Sequence, residues 1–443
     1  MWMTGTLLSD YPSPSQSTTA AEFSSYLSSV GIDLPFDDAV ETGSSAPLAQ
    51  PVSADRFEIG NRWAILPLEG SDSDLDGNPT DRSIGRWAAF GRSGAKLIWG
   101  ESAAVRNDGR SSPAQLLIAP ATARGLCRLR DAAVSAHREE FGDAEHFKLG
   151  LQLTHSGRLS HPGPSGEHAP VTVRRHPQLD DTLGPPVDQP LLTDGELYEL
   201  IDDYVAAAGI IAECGFDFVD LKACHGYLGH ELLGAYERPG EFGGSFENRT
   251  RFLRTIVERV QANAPDFKLG LRLSAFDTVI HGAGEDGVGR PLTSEPARYW
   301  FGTDESGHTI DLSEPIRLLT VMRDLGVDLI CITGSSSLNS WHLQRPALKT
   351  KPGEYRTPEN PLIGVARHID VTSRLRESVP GITTVGSGYS YLQRWLPNVA
   401  QAAVRTGMTD LVGIARMHIA YPRFISDILD GRPLETETIE QAF

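Results

Sequence analysis

The chain has little that would suit it to a nucleic acid, a membrane span or a metal cluster. Its 40 Lys and Arg stand against 58 Asp and Glu, a formal net charge of −18. A phosphate-tracking surface needs clustered cations, so a nucleic-acid partner is not expected, although a local basic pocket for a phosphorylated ligand remains compatible with that balance. No apolar run reaches about 18 residues, which argues against a membrane span. Residues 1–55 contain no Lys or Arg, and the start lacks the positive and apolar regions of an export signal; the expected location is cytoplasmic. Cysteine is scarce as well. Cys127, Cys214, Cys224 and Cys331 include no CxxC pair and are too few and too scattered for a disulfide framework. They also exclude an iron–sulfur cluster or a Cys-based zinc site, and no metal is expected.

What is present is a large, mixed α/β pattern. With 443 residues, 40% hydrophobic and 22% charged, the chain can bury a sizeable core in one big barrel or in two to three smaller domains. Residues 1–55 read as an N-terminal extension: rich in Ser, Thr and Pro up to Thr19, then a short amphipathic helix within 21–36 and a linker-like stretch over 41–54. Such an arm is expected to be partly ordered and to pack on the body or on a neighbouring subunit.

From Arg62 onward, short β-branched or apolar runs alternate with helical stretches. Eight runs read as strands, at 62–68, 96–105, 147–155, 216–223, 268–275, 328–335, 381–387 and 410–416. Helical periodicity fills most of the gaps. One helix is expected to start at a Thr193 or Asp194 cap and stop at Gly215; another starts at Ser245 and turns Phe252, Ile256, Val257 and Val260 to one face. Eight such units predict a (β/α)8 TIM barrel over 56–443. A doubly wound open sheet usually has fewer strands and an early GxGxxG turn, which is absent.

A barrel places its chemistry at the C-terminal ends of the strands. Three ends are loaded here: His155 and Arg158 after the third strand, Lys222, His225 and Tyr227 after the fourth, and Arg272 on the fifth. After the seventh and eighth strands come VGSGYS (385–390) and GIAR (413–416), small-residue turns followed by helical sequence. Turns of this kind expose backbone N–H groups and suit a phosphate.

Seven ordered motifs carry a more specific signal: NRWAILPLEG (61–70), ESAAVRNDGRSSPAQL (101–116), LQLTHSGR (151–158), GFDFVDLKACHGYLGHELL (215–233), RPGEFGGSFENRTRF (238–252), GLRLS (270–274) and GIARMHIAYP (413–422). From about Asn61 to Pro433 the chain resembles the old yellow enzyme family of FMN-dependent ene reductases. The resemblance implies FMN across the barrel mouth, with NADPH or NADH as reductant. Pro67 and Leu68 would touch the ring by backbone, Ser102 and Gln115 would lie beside its pyrimidine edge, and Arg272 would lie near N1 and O2, where a cation stabilises the anionic reduced flavin. Gly386, Ser387, Gly388, Ala415 and Arg416 would hold the phosphate.

The resemblance also implies a substrate dyad, and here the sequence departs from the family. Members usually carry His-x-x-Asn or His-x-x-His before Gly-Tyr, whereas this chain has Lys222, His225, Gly226 and Tyr227. In the family mechanism the dyad donates hydrogen bonds to a substrate carbonyl and the tyrosine gives a proton to the α-carbon. Lys222 is expected to act as an ammonium, to favour a carboxylate-bearing or phenolate-like substrate, or to pair with a neighbouring acid such as Glu69. Glu69 is the second departure. It stands where the family usually has a small residue that tunes the flavin, and a carboxylate there disfavours reduction unless it is paired or protonated.

The expected activity is hydride transfer from NAD(P)H through FMN to an activated C=C bond of a small molecule, with Lys222 and His225 polarising the acceptor and Tyr227 supplying the proton. Three alternatives stay open: a flavin dehydrogenase or demethylase working oxidatively, a Schiff-base aldolase or lyase built on Lys222, and a flavin-binding protein without turnover. In the long segments after the fifth and sixth strands, Tyr299, Trp300 and Phe301 suggest either a lid or an anchor that holds the loop in the core, and Trp341, His342, Arg345 and Tyr355 are candidate pocket residues. Oligomeric state is left open, with a homo-oligomer as one outcome.

Overall fold

The computed structural model describes residues 11–54, 57–183, 189–292, 299–348 and 355–442. The expected domain boundary at 55/56 lies outside them. All eight anticipated strands are present: β1 (Trp63–Ile65), β2 (Leu97–Ile98, continued by Ser102–Ala104), β3 (Lys148–Thr154), β4 (Phe218–Ala223), β5 (Lys268–Ser274), β6 (Leu329–Thr333), β7 (Thr383–Gly386) and β8 (Leu411–Ile414). They pair in parallel around a closed ring. Ala64 sits opposite Leu97, Val412 opposite Trp63, and Ser102 opposite Gln152, so the two segments of β2 join β1 to β3.

The period of two along each strand sorts side chains between the helices outside and the barrel interior. Leu66, Trp99, Phe218, Leu329, Cys331, Val385 and Leu411 form the inner cluster, and Ala54 and Ile59 of a small hairpin (Val52–Ala54 with Phe57–Ile59) join it. The same alternation, carried further along β4, β5 and β6, brings Lys222, Arg272 and Thr333 to the rim, with Lys222 opposite Arg272 and Thr333 opposite Ser274. Position in the strand repeat thus decides which polar side chains face the mouth.

The helices follow the local signals. Thr193 caps Asp194–Glu213 with a full capping box to Glu196, and Gly215 follows with a positive φ of 78°. Ser245 caps Phe246–Asn263, whose Phe252, Ile256, Val257 and Val260 are buried. In the N-terminal arm, Thr19 and Glu22 form a capping box for Ala20–Ser29. Phe23 of this helix stacks on Trp395 at 4.6 Å, Trp395 Nε1 donates to Ser17 O at 3.0 Å, and Asn360 Nδ2 donates to Tyr26 Oη at 3.0 Å. The arm is therefore built into the outer core beside β7.

One expectation from cysteine spacing is corrected. Cys127 and Cys214, 87 residues apart in sequence, form a disulfide with a Cα–Cα distance of 4.7 Å. The barrel sets the helix Ala123–Phe141 beside the C-terminal end of Asp194–Glu213, a juxtaposition that spacing along the chain does not reveal. Cys224 and Cys331 are free and buried. Among the described residues no helix is long and apolar enough to cross a membrane, and no group of metal-ligating side chains is assembled.

Candidate active site

A cavity of about 590 Å³ opens at the C-terminal ends of the strands. On one side it is lined by Pro67, Leu68 and Glu69 after β1, Ser102 on β2, and Gln152 on β3. Lys222, His225 and Tyr227 from β4 and its loop form the next wall, followed by Arg272 and Thr333. Trp341, Gln344 and Arg345 come from the segment after β6, and Ser387, Gly388, Gly413, Ala415 and Arg416 close the ring. Of the fourteen residues expected to catalyse or to hold the cofactor, twelve meet here.

The other two do not line it. Gln115 is fully buried in the loop wall: its Oε1 accepts from Ser111 N at 2.6 Å and its Nε2 donates to Ser102 O at 3.1 Å. Its amide is used to shape the loop, whereas the side chain of Gln152 faces the cavity and donates to the buried Asp220. The signal for Gln152 was the alternation on β3, which turns it inward at the layer of Asp220. Gly386 stands behind the rim, its N–H donated to Thr409 Oγ1 at 3.2 Å.

The fourth strand ends in an uncommon turn. His225 and Gly226 both have positive φ, 63° and 80°, a conformation costly for a side chain other than glycine and usually tied to function. His225 N donates to Ser274 Oγ at 3.0 Å and Gly226 N to His230 Nδ1 at 2.9 Å, which fix the turn. His225 is half-buried, with Nε2 3.4 Å from Thr333 Oγ1. Burial, with Arg272 and Lys222 close by, pushes its pKa well below the ordinary histidine value, so the ring is neutral at working pH.

Glu69 turns into the site. Lys222 Nζ lies 2.8 Å from Glu69 Oε1, the Tyr227 hydroxyl donates to that same oxygen, and Ser111 Oγ donates to Oε2 at 2.7 Å. Burial opposes the charge on Glu69, but Lys222 and these donors hold its pKa below the usual carboxylate range. Burial and then Glu69 push Tyr227 well above an ordinary phenol.

The residues fit FMN. Arg272 Nη1 donates to Pro67 O at 3.2 Å, while Nε is buried with no hydrogen-bond partner among the described residues, an orphan donor suited to an electron-rich ring edge. At the β7–β8 end the wall is backbone. Gly388 has a φ of 89° and an added Cβ would stand 3.0 Å from the His368 ring; at Gly413 it would stand 2.5 Å from Leu66. Burial and the neighbouring Arg345 push Arg416 down to about 10, and a dianionic phosphate between the two guanidiniums would relieve both effects. Gly388→Ala should therefore lower stability by about 1–2 kcal/mol through the left-handed backbone alone and weaken FMN retention further. A thermal melt with and without added FMN checks this: an unchanged melt would remove Gly388 from the cradle.

A profile of the NADH:flavin oxidoreductase / NADH oxidase family matches residues 50–294. The chain belongs to that family. This oxidoreductase is of the old yellow enzyme type, with FMN as cofactor and NAD(P)H as reductant. It is 27% identical over 257 residues to an NADH:flavin oxidoreductase of Gibberella zeae, covering 54% of this chain and 59% of that one. It is also 27% identical over 383 residues to an NADPH dehydrogenase of Bacillus velezensis, covering 85% and 92%. Its fold is shared with the old yellow enzyme homologue from Zymomonas mobilis (TM-score 0.61, 22% identity, 89% of this chain and 96% of that one). Histamine dehydrogenase from Rhizobium sp. 4-9 is similar in fold too (TM-score 0.61, 21% identity, 89% and 48%).

The remaining candidates of this oxidoreductase divide clearly. His155 and Arg158 are structural: His155 Nδ1 accepts from Gly157 N at 3.0 Å, and Arg158 pairs with Glu231 at 2.7 Å. Trp300 and Phe301 are buried beside a smaller polar cavity behind the β4 turn, with Trp300 4.7 Å from His176. Of the two expected readings, lid and anchor, the structure has the anchor: Trp300 and Phe301 do not line the main cavity, and part of the segment (293–298) lies outside the described residues. Trp341 and Arg345 do reach the main cavity, while His342 and Tyr355 bond each other at 2.9 Å behind it.

Proposed function

We propose that this oxidoreductase reduces an activated C=C bond, of an α,β-unsaturated carbonyl or a related acceptor. The observation that carries the reading is the meeting, in one cavity, of a cofactor-sized end (Arg272, Gly388, Arg416) and a proton-bearing end (His225, Tyr227). When bound, FMN supplies the hydride chemistry that links the nicotinamide to the acceptor. The chain's own groups do the rest. His225, neutral and with its ring held among the described residues by a long contact to Thr333, can turn a ring N–H toward the acceptor oxygen and support the charge that develops there. Tyr227 keeps its proton across the working pH range and can pass it to the substrate carbon once Glu69 releases the hydroxyl. Lys222 holds Glu69 in place.

Tyr227→Phe should slow acceptor reduction by about 100-fold while leaving reduction of the bound flavin by NAD(P)H within about twofold. Rapid-mixing measurements of the two half-reactions check this, and an equal loss in both would remove the proton-donor role.

One observation favours a second reading, oxidation of an amine or alcohol: Glu69 presents an acceptor, not a donor, to the substrate end. Flavin reduction by such a compound in the absence of nicotinamide would establish it. The Schiff-base reading loses its support, because Lys222 Nζ sits in an ion pair rather than as a free amine.

A further inference from the structure

An ammonium has three N–H donors, and the surroundings of Lys222 account for all three. One meets Glu69 Oε1 at 2.8 Å, one meets Ser102 Oγ at 3.1 Å, and Nζ stands 3.3 Å from the centre of the Tyr227 ring, within cation–π range. Lys222 is almost fully buried, with 4% of its side chain exposed, whereas Glu69 keeps 24% of its side chain open, and the cavity is what it opens to. At the substrate end the ligand therefore meets a carboxylate edge and not a free cation.

We propose that Glu69 determines substrate charge class: it neutralises Lys222, locks Tyr227, and makes the pocket accept uncharged acceptors while rejecting carboxylates. The inference rests on the substrate end described above but not on the direction of the reaction. A carboxylate entering beside Lys222 would find no N–H donor of that ammonium free and a like charge at contact distance. An uncharged carbonyl meets neither penalty. The lysine that replaces the family histidine thus does not convert the pocket to an anion site, because Glu69, the other departure from the family, cancels its charge.

Benzoate and benzamide, alike in shape and different in charge, test this on the purified flavoprotein by calorimetric titration. The wild-type protein should bind benzamide more tightly than benzoate. Glu69→Gln keeps the side-chain shape and a hydrogen-bond acceptor but frees the charge of Lys222, so benzoate affinity should rise by about tenfold or more while benzamide stays within about threefold. In Glu69→Gln/Lys222→Gln the benzoate gain should vanish, an outcome that a merely structural role for Glu69 would not produce. Wild-type preference for benzoate, or an unchanged benzoate affinity in Glu69→Gln, would overturn the proposal. The wild-type comparison needs no variant to fold. Protein isolated without flavin would sink the proposed function, yet the two ligands would still decide this point.

Discussion

Arg416→Ala should weaken FMN binding by about 100-fold. The guanidinium lies past the end of β8, facing the same cavity as Arg345, and burial next to that like charge has already pushed its pKa down to about 10. A phosphate between the two guanidiniums would offset that like-charge contact, and each charge-assisted hydrogen bond to a phosphate contributes about 1.5–3 kcal/mol. Lysine at this position should recover only part of the loss, because a point charge cannot match the forked geometry of a guanidinium. Titration of FMN into flavin-free protein, followed by fluorescence, reads the change. A shift of less than about twofold would move the phosphate away from the β7–β8 end.

The second large effect concerns stability. Lys222→Met removes a buried cation from a partly buried pair and leaves Glu69, among the described residues, with Tyr227 and Ser111, which should cost about 3 kcal/mol at neutral pH. The pH dependence has a definite sign. In the wild type the folded-state pKa of Glu69 is depressed, so the pair contributes stability above the ordinary carboxylate range and loses it as the pH falls through the folded value. In Lys222→Met the isolated carboxyl can escape its penalty by taking up a proton. The difference between the two proteins should therefore be largest near pH 8 and shrink toward pH 4. Adding Glu69→Gln should restore most of the loss. Urea titrations at several pH values check the account; a difference that grows on acidification would contradict it.

Much of this arrangement was legible in the residues themselves. Eight β-branched runs separated by capped helices can close only a few architectures, and the period of two then carries Lys222, Arg272 and Thr333 to the mouth. The small residues at Gly388 and Gly413 were legible as turn positions, and packing requires them: an added Cβ would meet the His368 ring or Leu66. What the pattern does not encode is the course of the loops. Gln115 looked like a cofactor contact because of its motif, but Arg110, donating to Gln115 O, and Ser111, donating to its side chain, tie it into the loop, and Gln152 takes the inward place. The pairing of Cys127 with Cys214 depends on two helices meeting across the barrel surface. The role of Lys222 was open for the same reason: only the position of Glu69, reached from a different strand, decides that its donors are spent.

The most direct test follows the visible flavin band of the purified protein in an anaerobic cuvette, first with NADPH or NADH and then with an excess of a simple cyclic enone. The band should bleach with the nicotinamide and return as the enone is consumed. A flavin that bleaches but is not reoxidised by any activated alkene, or one that is reduced by an amine or alcohol instead, would contradict the proposed function.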